Sequence, residues 1–249
     1  MIPISDNNTG HTRTAFVNLG LIIVNILVFI YYQGFGSNQA FTMSFSTIPH
    51  EILTGQDVVF EGNVGETPIP VYLTIFTSMF MHGGLAHLGG NMLYLWVFGD
   101  NLENRMGHLK YLGFYLLTGI IATLCHVFLS QFLGRDMLVP SLGASGAISG
   151  VLGGYLLLFP TNQVRVFFIA ITFRVPAFIT LGLWIGLQLL SGWGSLGAQE
   201  SGGGVAYAAH IGGFIAGLLL VKFFAGPKPE VQSNAATGRG GGLRRFTKF

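Results

Sequence analysis

Charged residues punctuate this chain rather than cover it. No Lys, Arg, Asp or Glu occurs between Arg13 and Glu51, nor within 67–99, 111–134, 137–164, 175–199 or 201–221. Each of these six windows holds at least 21 residues, and a helix needs about 20 apolar residues to cross a hydrocarbon core. The pattern predicts six transmembrane helices, at roughly 15–33, 84–103, 111–132, 145–160, 176–195 and 205–224. The segments lack the alternation of a barrel, and lipid offers no water to unpaired backbone groups, so helices are the form that fits. The first window follows Arg13 but is longer than the apolar stretch of a signal peptide, and no small-residue cleavage site follows it, so it is expected to remain as the first span.

Composition sharpens this. Hydrophobic residues make up 51% of the 249 positions and charged residues 9%, against about 25% charge in a soluble domain. Mean hydropathy is +0.60. A chain with so few ions cannot coat a soluble globule. The net charge of +2 is too small for a nucleic-acid binder. The single cysteine, Cys125, excludes an intramolecular disulfide and a thiolate metal cluster. The fold expected is therefore an all-α polytopic membrane protein.

Lys and Arg set the orientation. With the N-terminus inside, the inner segments hold Arg13, Arg105, Lys110, Arg165, Arg174, Lys222, Lys228, Arg239, Arg244, Arg245 and Lys248, and the outer ones hold Arg135 alone. This is a strong positive-inside signal. It predicts a cytoplasmic segment over 1–14, a membrane domain over 15–224 and a cytoplasmic C-terminus. Short inner loops point to a prokaryotic plasma membrane. The stretch 34–83, on the outer side, is long for a connection yet rich in Phe, Ile, Leu and Val, so it is expected to be ordered and set partly into the interface. Residues 225–249 are dominated by Gly, Pro and basic residues and read as a disordered tail that touches anionic lipid.

Polar residues at membrane depth are costly and default to functional candidates. Here these are His82, His87, Asn91, His126, Ser145, Ser149 and His210. Ser145 lies in Gly143-Ala144-Ser145-Gly146, where an outer loop enters the fourth span. Small neighbours leave its hydroxyl approachable, and a helix N-terminus supplies free N–H groups for a developing oxyanion. The plainer reading is a serine on a tightly packed helix, since Gly146, Gly150 and Gly154 form one small-residue stripe and Ser145, Ser149 and Gly153 another. His210 is flanked by Ala206, Ala209, Gly213 and Gly217 at helical spacing. His87 and Asn91 are four apart and share a helix face. Plain polar packing would explain these three as well. His82 falls ahead of its helix, where interfacial water could satisfy it. His126 and Cys125 read as packing residues.

Depth links the candidates. Ser145, His210, His87 and Asn91 lie on helices running inward, each within roughly 10 Å of its outer start at 1.5 Å per residue. A nucleophile, a base and two oxyanion donors at one depth make a catalytic set. Asp100 and Glu103 sit at the inner end of the second span, too deep to orient His210, so a Ser–His dyad is expected rather than a triad. The same lack of carboxylates disfavours an aspartyl protease, and His82 with His87 does not make a zinc-binding H-E-x-x-H.

Together these residues resemble the rhomboid family of intramembrane serine proteases, in its six-helix prokaryotic form. The resemblance is carried by Gly143-Ala144-Ser145-Gly146; by Ala209-His210 with Gly213 and Gly217; by His82, His87 and Asn91; and by Glu103 with Arg105. It implies that Ser145 is the nucleophile and His210 its base, that His87, Asn91 and the Ser145 N–H form the oxyanion hole, and that His82 supports the outer loop. Glu103 and Arg105 would be structural. It also implies cleavage of single-span membrane proteins near the outer face of the lipid bilayer, without a cofactor or metal and with no nucleic-acid partner. The chain departs from the family where many members carry Trp-Arg, here Leu73-Thr74, and where some place an aromatic on the histidine, here Ser149. The fifth span, with Phe178, Leu181 and Trp184 and little glycine, is expected to pack loosely and to act as a side gate. The alternatives are a non-catalytic escort of the same fold and a channel or transporter, which would need a polar path across the whole bilayer.

Overall fold

A computed structural model describes residues 1–9, 11–60, 65–197 and 205–226. The expected basic tail lies outside the described residues from position 227 onward. The helices fall close to the segments expected from the sequence. They are α1 (Phe16–Leu27, prolonged by a π-helical turn at Val28–Tyr32), three short helices α2 (Gln39–Ser44), α3 (Pro49–Thr54) and α4 (Thr74–Thr77), then α5 (Leu85–Met106), α6 (His108–Leu133), α7 (Ser145–Leu158), α8 (Ala177–Gly197) and α9 (Val205–Phe224). Three of these, over His108–Leu133, Ala177–Gly194 and Tyr207–Phe224, are long and apolar enough to cross a membrane. Phe16–Tyr32 and Ser145–Leu158 are apolar but shorter.

One expectation is corrected. The described chain is mostly helical rather than all-α, because β1 (Ile2–Ser5), β2 (Gln163–Phe168) and β3 (Ile171–Pro176) form an antiparallel sheet in the order β1-β2-β3. The cause is visible in β2, where Val164 and Val166 are fully buried while Arg165 between them and Phe167 after them face outward. That alternation belongs to a half-buried strand. The sheet closes the end of the bundle opposite Ser145.

At that far end Glu103 departs from an ordinary solvated helix terminus. It is fully buried, and its carboxylate accepts the backbone N–H of Val17 at 2.9 Å and of Asn18 at 2.6 Å. These are among the amides that the first turn of α1 leaves unpaired, so an acid from α5 caps α1. His108 Nδ1 lies 2.5 Å from the same carboxylate. Arg105 is half-buried and makes no ion pair with Glu103; its carbonyl accepts the Gly226 N–H at 3.3 Å.

The core of the bundle is α7, buried continuously from Gly146 to Tyr155 against α6 and α9. By contrast α8 exposes Leu187, Leu190 and Trp193, and its Gly182 and Gly186 face open space. The long segment between α1 and α5 is tied down at the Ser145 end. Thr47 pairs through backbone bonds with Ser141, the His50 N–H donates to the Met137 carbonyl, and the Gly143 N–H donates to the Ser78 carbonyl at 2.8 Å. Those bonds hold the strap that leads into α7.

Candidate active site

Ser145 is the first residue of α7, so its own N–H is among the amides the helix cannot satisfy. Its Oγ lies 2.8 Å from Nε2 of His210 on α9. Backbone proximity makes this possible: a Cβ on Gly213 would sit 2.2 Å from the Gly146 carbonyl oxygen, and one on Gly217 would sit 2.0 Å from that of Gly150. Only hydrogen fits there, so α7 and α9 meet backbone to backbone and bring two residues 65 apart into hydrogen-bond range.

His87 and Asn91 of α5 line the same cavity, of about 240 Å³, with Ser145, His210, Trp184 and Gln188. The Gly83 N–H donates to His87 Nδ1 at 3.3 Å. In the neutral ring the proton then sits on Nε2 and is free to be donated. Asn91 Nδ2 is buried and has no partner among the described residues. An unmet donor of this kind is costly to bury and suits an acceptor that arrives with a ligand. Gly143 adopts φ 132°, and a point in the place of its missing Cβ lies 3.1 Å from His87 Nε2 and 3.5 Å from Ser145 Oγ. A side chain there would push His87 away from the serine.

His82 is fully buried, not wetted at an interface, and neither ring nitrogen has a partner among the described residues. Gln33 grips its backbone, accepting its N–H at 2.9 Å and donating to its carbonyl at 3.0 Å. Its ring meets His87 edge-on at 5.2 Å between centroids. Gly146 faces Ala122 on α6 and so belongs to the helix packing. His126 is buried beside Ser130, and Cys125 packs on Gly212.

The two departures have local explanations. At Ser149, where an aromatic was expected in some relatives, the hydroxyl donates to the Ser145 carbonyl at 2.6 Å. The aromatic on His210 comes instead from α8, where Trp184 stands 5.9 Å away between ring centroids. At Leu73-Thr74, the Thr74 carbonyl accepts from Thr47 Oγ1 at 3.0 Å, so backbone and hydroxyl groups tie the loop.

Sequence reasoning missed Gln188. Its Oε1 lies 2.9 Å from His210 Nδ1. The signal was present, since Gln188 is the one amide side chain within 177–197.

Ser145 and His210 thus meet at a helix start, and His87 and Asn91 line the same cavity within an apolar bundle. The rhomboid domain model matches residues 71–226, and the chain belongs to the rhomboid family of integral membrane proteins. Among its relatives, the chain is 35% identical to Rhomboid protein 1, mitochondrial, of Saccharomyces cerevisiae over 59% of its own length and 40% of that protein. It is 30% identical to the Presenilin-associated rhomboid-like protein, mitochondrial, of Bos taurus over 59% of itself and 36% of that protein. It is 29% identical to Rhomboid protease GluP of Bacillus subtilis over 62% of itself and 26% of that protein. The chain thus spans less than half the length of each of these relatives. Mitochondrial and bacterial names both occur among them, so they lend no particular weight to a prokaryotic plasma membrane.

Proposed function

We propose that this chain is an intramembrane serine endopeptidase that cleaves single-span membrane proteins through Ser145 and His210. The observation that carries the reading is the 2.8 Å approach of His210 Nε2 to Ser145 Oγ at the mouth of α7. Kinship with a protein named as a protease in Bacillus subtilis supports it.

In the reaction, Ser145 Oγ attacks the scissile carbonyl as its proton passes to His210 Nε2. The oxygen that becomes negative is received by His87 Nε2–H, Asn91 Nδ2–H and the Ser145 N–H. His210 then gives the proton to the leaving amine. Water attacks the acyl-serine, His210 takes its proton, and returning that proton to Ser145 Oγ releases the acid and restores the site. A helical substrate must unwind locally, because helix hydrogen bonds hide its carbonyls.

In this reading α1 and α5–α9 form a six-span bundle, with 34–83 as the loop on the Ser145 side and both termini on the other, cytoplasmic side. The length of α7 fits a sunken site. Its 14 residues reach about 21 Å, short of a core of roughly 30 Å, so Ser145 begins below the surface. Substrate enters from lipid between α5 and α8, whose side chains share the cavity wall.

The test is cleavage of a single-span model substrate by the detergent-purified protein and by Ser145→Ala. The proposal expects cleavage by the parent alone. Equal cleavage by both overturns it.

A further inference from the structure

We infer that Gln188 of α8 is a positioning residue for His210, so that the site works as a Ser–His–Gln triad whose third member is a neutral amide. The inference rests on the proteolytic reading above. His210 is held at both ring nitrogens, with Nδ1 2.9 Å from Gln188 Oε1 and Nε2 2.8 Å from Ser145 Oγ. An amide oxygen can only accept, so the proton of the neutral ring sits on Nδ1. Nε2 is left with its lone pair toward the serine hydroxyl, which is the tautomer a general base needs. Without that acceptor the two neutral tautomers compete, and one of them cannot take the serine proton.

The choice of an amide fits the location. Once His210 carries two protons, its Nδ1–H still meets the Gln188 carbonyl dipole, which stabilises the new charge. A carboxylate would do so more strongly, but burying an ionised acid within an apolar bundle is costly. Gln188 and Trp184 are four apart and share one face of α8, the face turned to the cavity. Leu187, Leu190 and Trp193 on the same helix are exposed. Thus α8 fixes the ring plane with Trp184 and the tautomer with Gln188. The titratable groups sharing the cavity lining with His210 are His87 and Tyr94 of α5, and no carboxylate is among them.

The experiment compares the full-length protein with Gln188→Leu, Gln188→Glu and Ser145→Ala, reading kcat and KM for a single-span substrate between about pH 5 and 9. Gln188→Leu should lower kcat roughly tenfold, as expected for one lost hydrogen bond that matters at the transition state, with KM nearly unchanged. Gln188→Glu should move the acid limb of the kcat profile to higher pH, because an adjacent carboxylate favours the protonated ring. Nitrogen-15 spectra of histidine-labelled protein should show His210 protonated on Nδ1 in the parent and a tautomer mixture in Gln188→Leu. Parental kcat in Gln188→Leu with an unmoved acid limb in Gln188→Glu overturns the inference. If Gln188→Leu fails to fold, the acid limb of Gln188→Glu decides alone. Undiminished cleavage by Ser145→Ala would instead overturn the proteolytic reading beneath it.

Discussion

Gly213 of α9 touches the backbone carbonyl of Gly146 in α7, so closely that a Cβ on Gly213 would lie 2.2 Å from that oxygen. Both residues are neighbours of the reacting pair, one position from Ser145 and three from His210. Gly213→Ala must therefore part the helices at the point where the dyad is assembled. We expect it to destabilise the protein by about 1–3 kcal/mol, as overpacking does, and to reduce cleavage at least tenfold. Thermal unfolding and cleavage rates in detergent check this. Gly182→Ala, at an open position on α8, is the control and should change neither.

Asn91 Nδ2 is buried without a partner among the described residues, which predicts a separation of effects. Asn91→Ala should lower kcat by about 10²- to 10³-fold, the usual cost of one oxyanion donor. It should leave the thermal midpoint nearly unchanged, since Nδ2 has no hydrogen bond among the described residues to lose. A structural role would show the reverse, a lowered midpoint with kcat per folded molecule preserved.

The loose packing of α8 predicts that its movement admits substrate. A covalent bridge between α5 and α8 across the cavity mouth should abolish cleavage of a membrane-embedded substrate, and cutting the bridge should restore it. Undiminished cleavage by the bridged protein would contradict the gate.

Glu51 of α3 supplies a pH prediction. It is fully buried, its Oε1 accepts the Val58 N–H at 3.0 Å, and burial pushes its carboxyl up from 4.5 to about 7. A carboxyl raised on folding holds its proton more tightly in the folded state. Its favourable contribution is full below pH 4.5 and is lost as pH rises through about 7. The thermal midpoint of the parent should therefore fall more steeply between these two pH values than that of Glu51→Gln. Parallel curves would contradict the assignment.

Much of this was written in the sequence because lipid is an intolerant solvent. Where charge is excluded over 21 or more residues, helices follow, and their limits fall within a few positions of the expected segments rather than of the full charge-free windows. Ser145, His210, His87 and Asn91 stood out because a polar group at depth needs a reason. Other features depended on partners far along the chain. Glu103 looks like a solvated helix end until α1 is placed over it, where two backbone amides bury it. His82 looks like a loop residue until Gln33, 49 positions away, grips its backbone. The sheet was hidden because β1 and β2 lie some 160 residues apart, and the short Val164-Arg165-Val166 alternation straddles the end of the 137–164 window. Gln188 alone was legible locally, by the same rule of polar groups at depth.

The most direct measurement is covalent labelling with a fluorophosphonate, followed by mass mapping of the adduct. A serine activated by a histidine at 2.8 Å should capture the phosphonate. The account predicts an adduct on Ser145 in the parent and none in His210→Ala. An adduct on another residue, or equal labelling of Ser145 after His210→Ala, would contradict it.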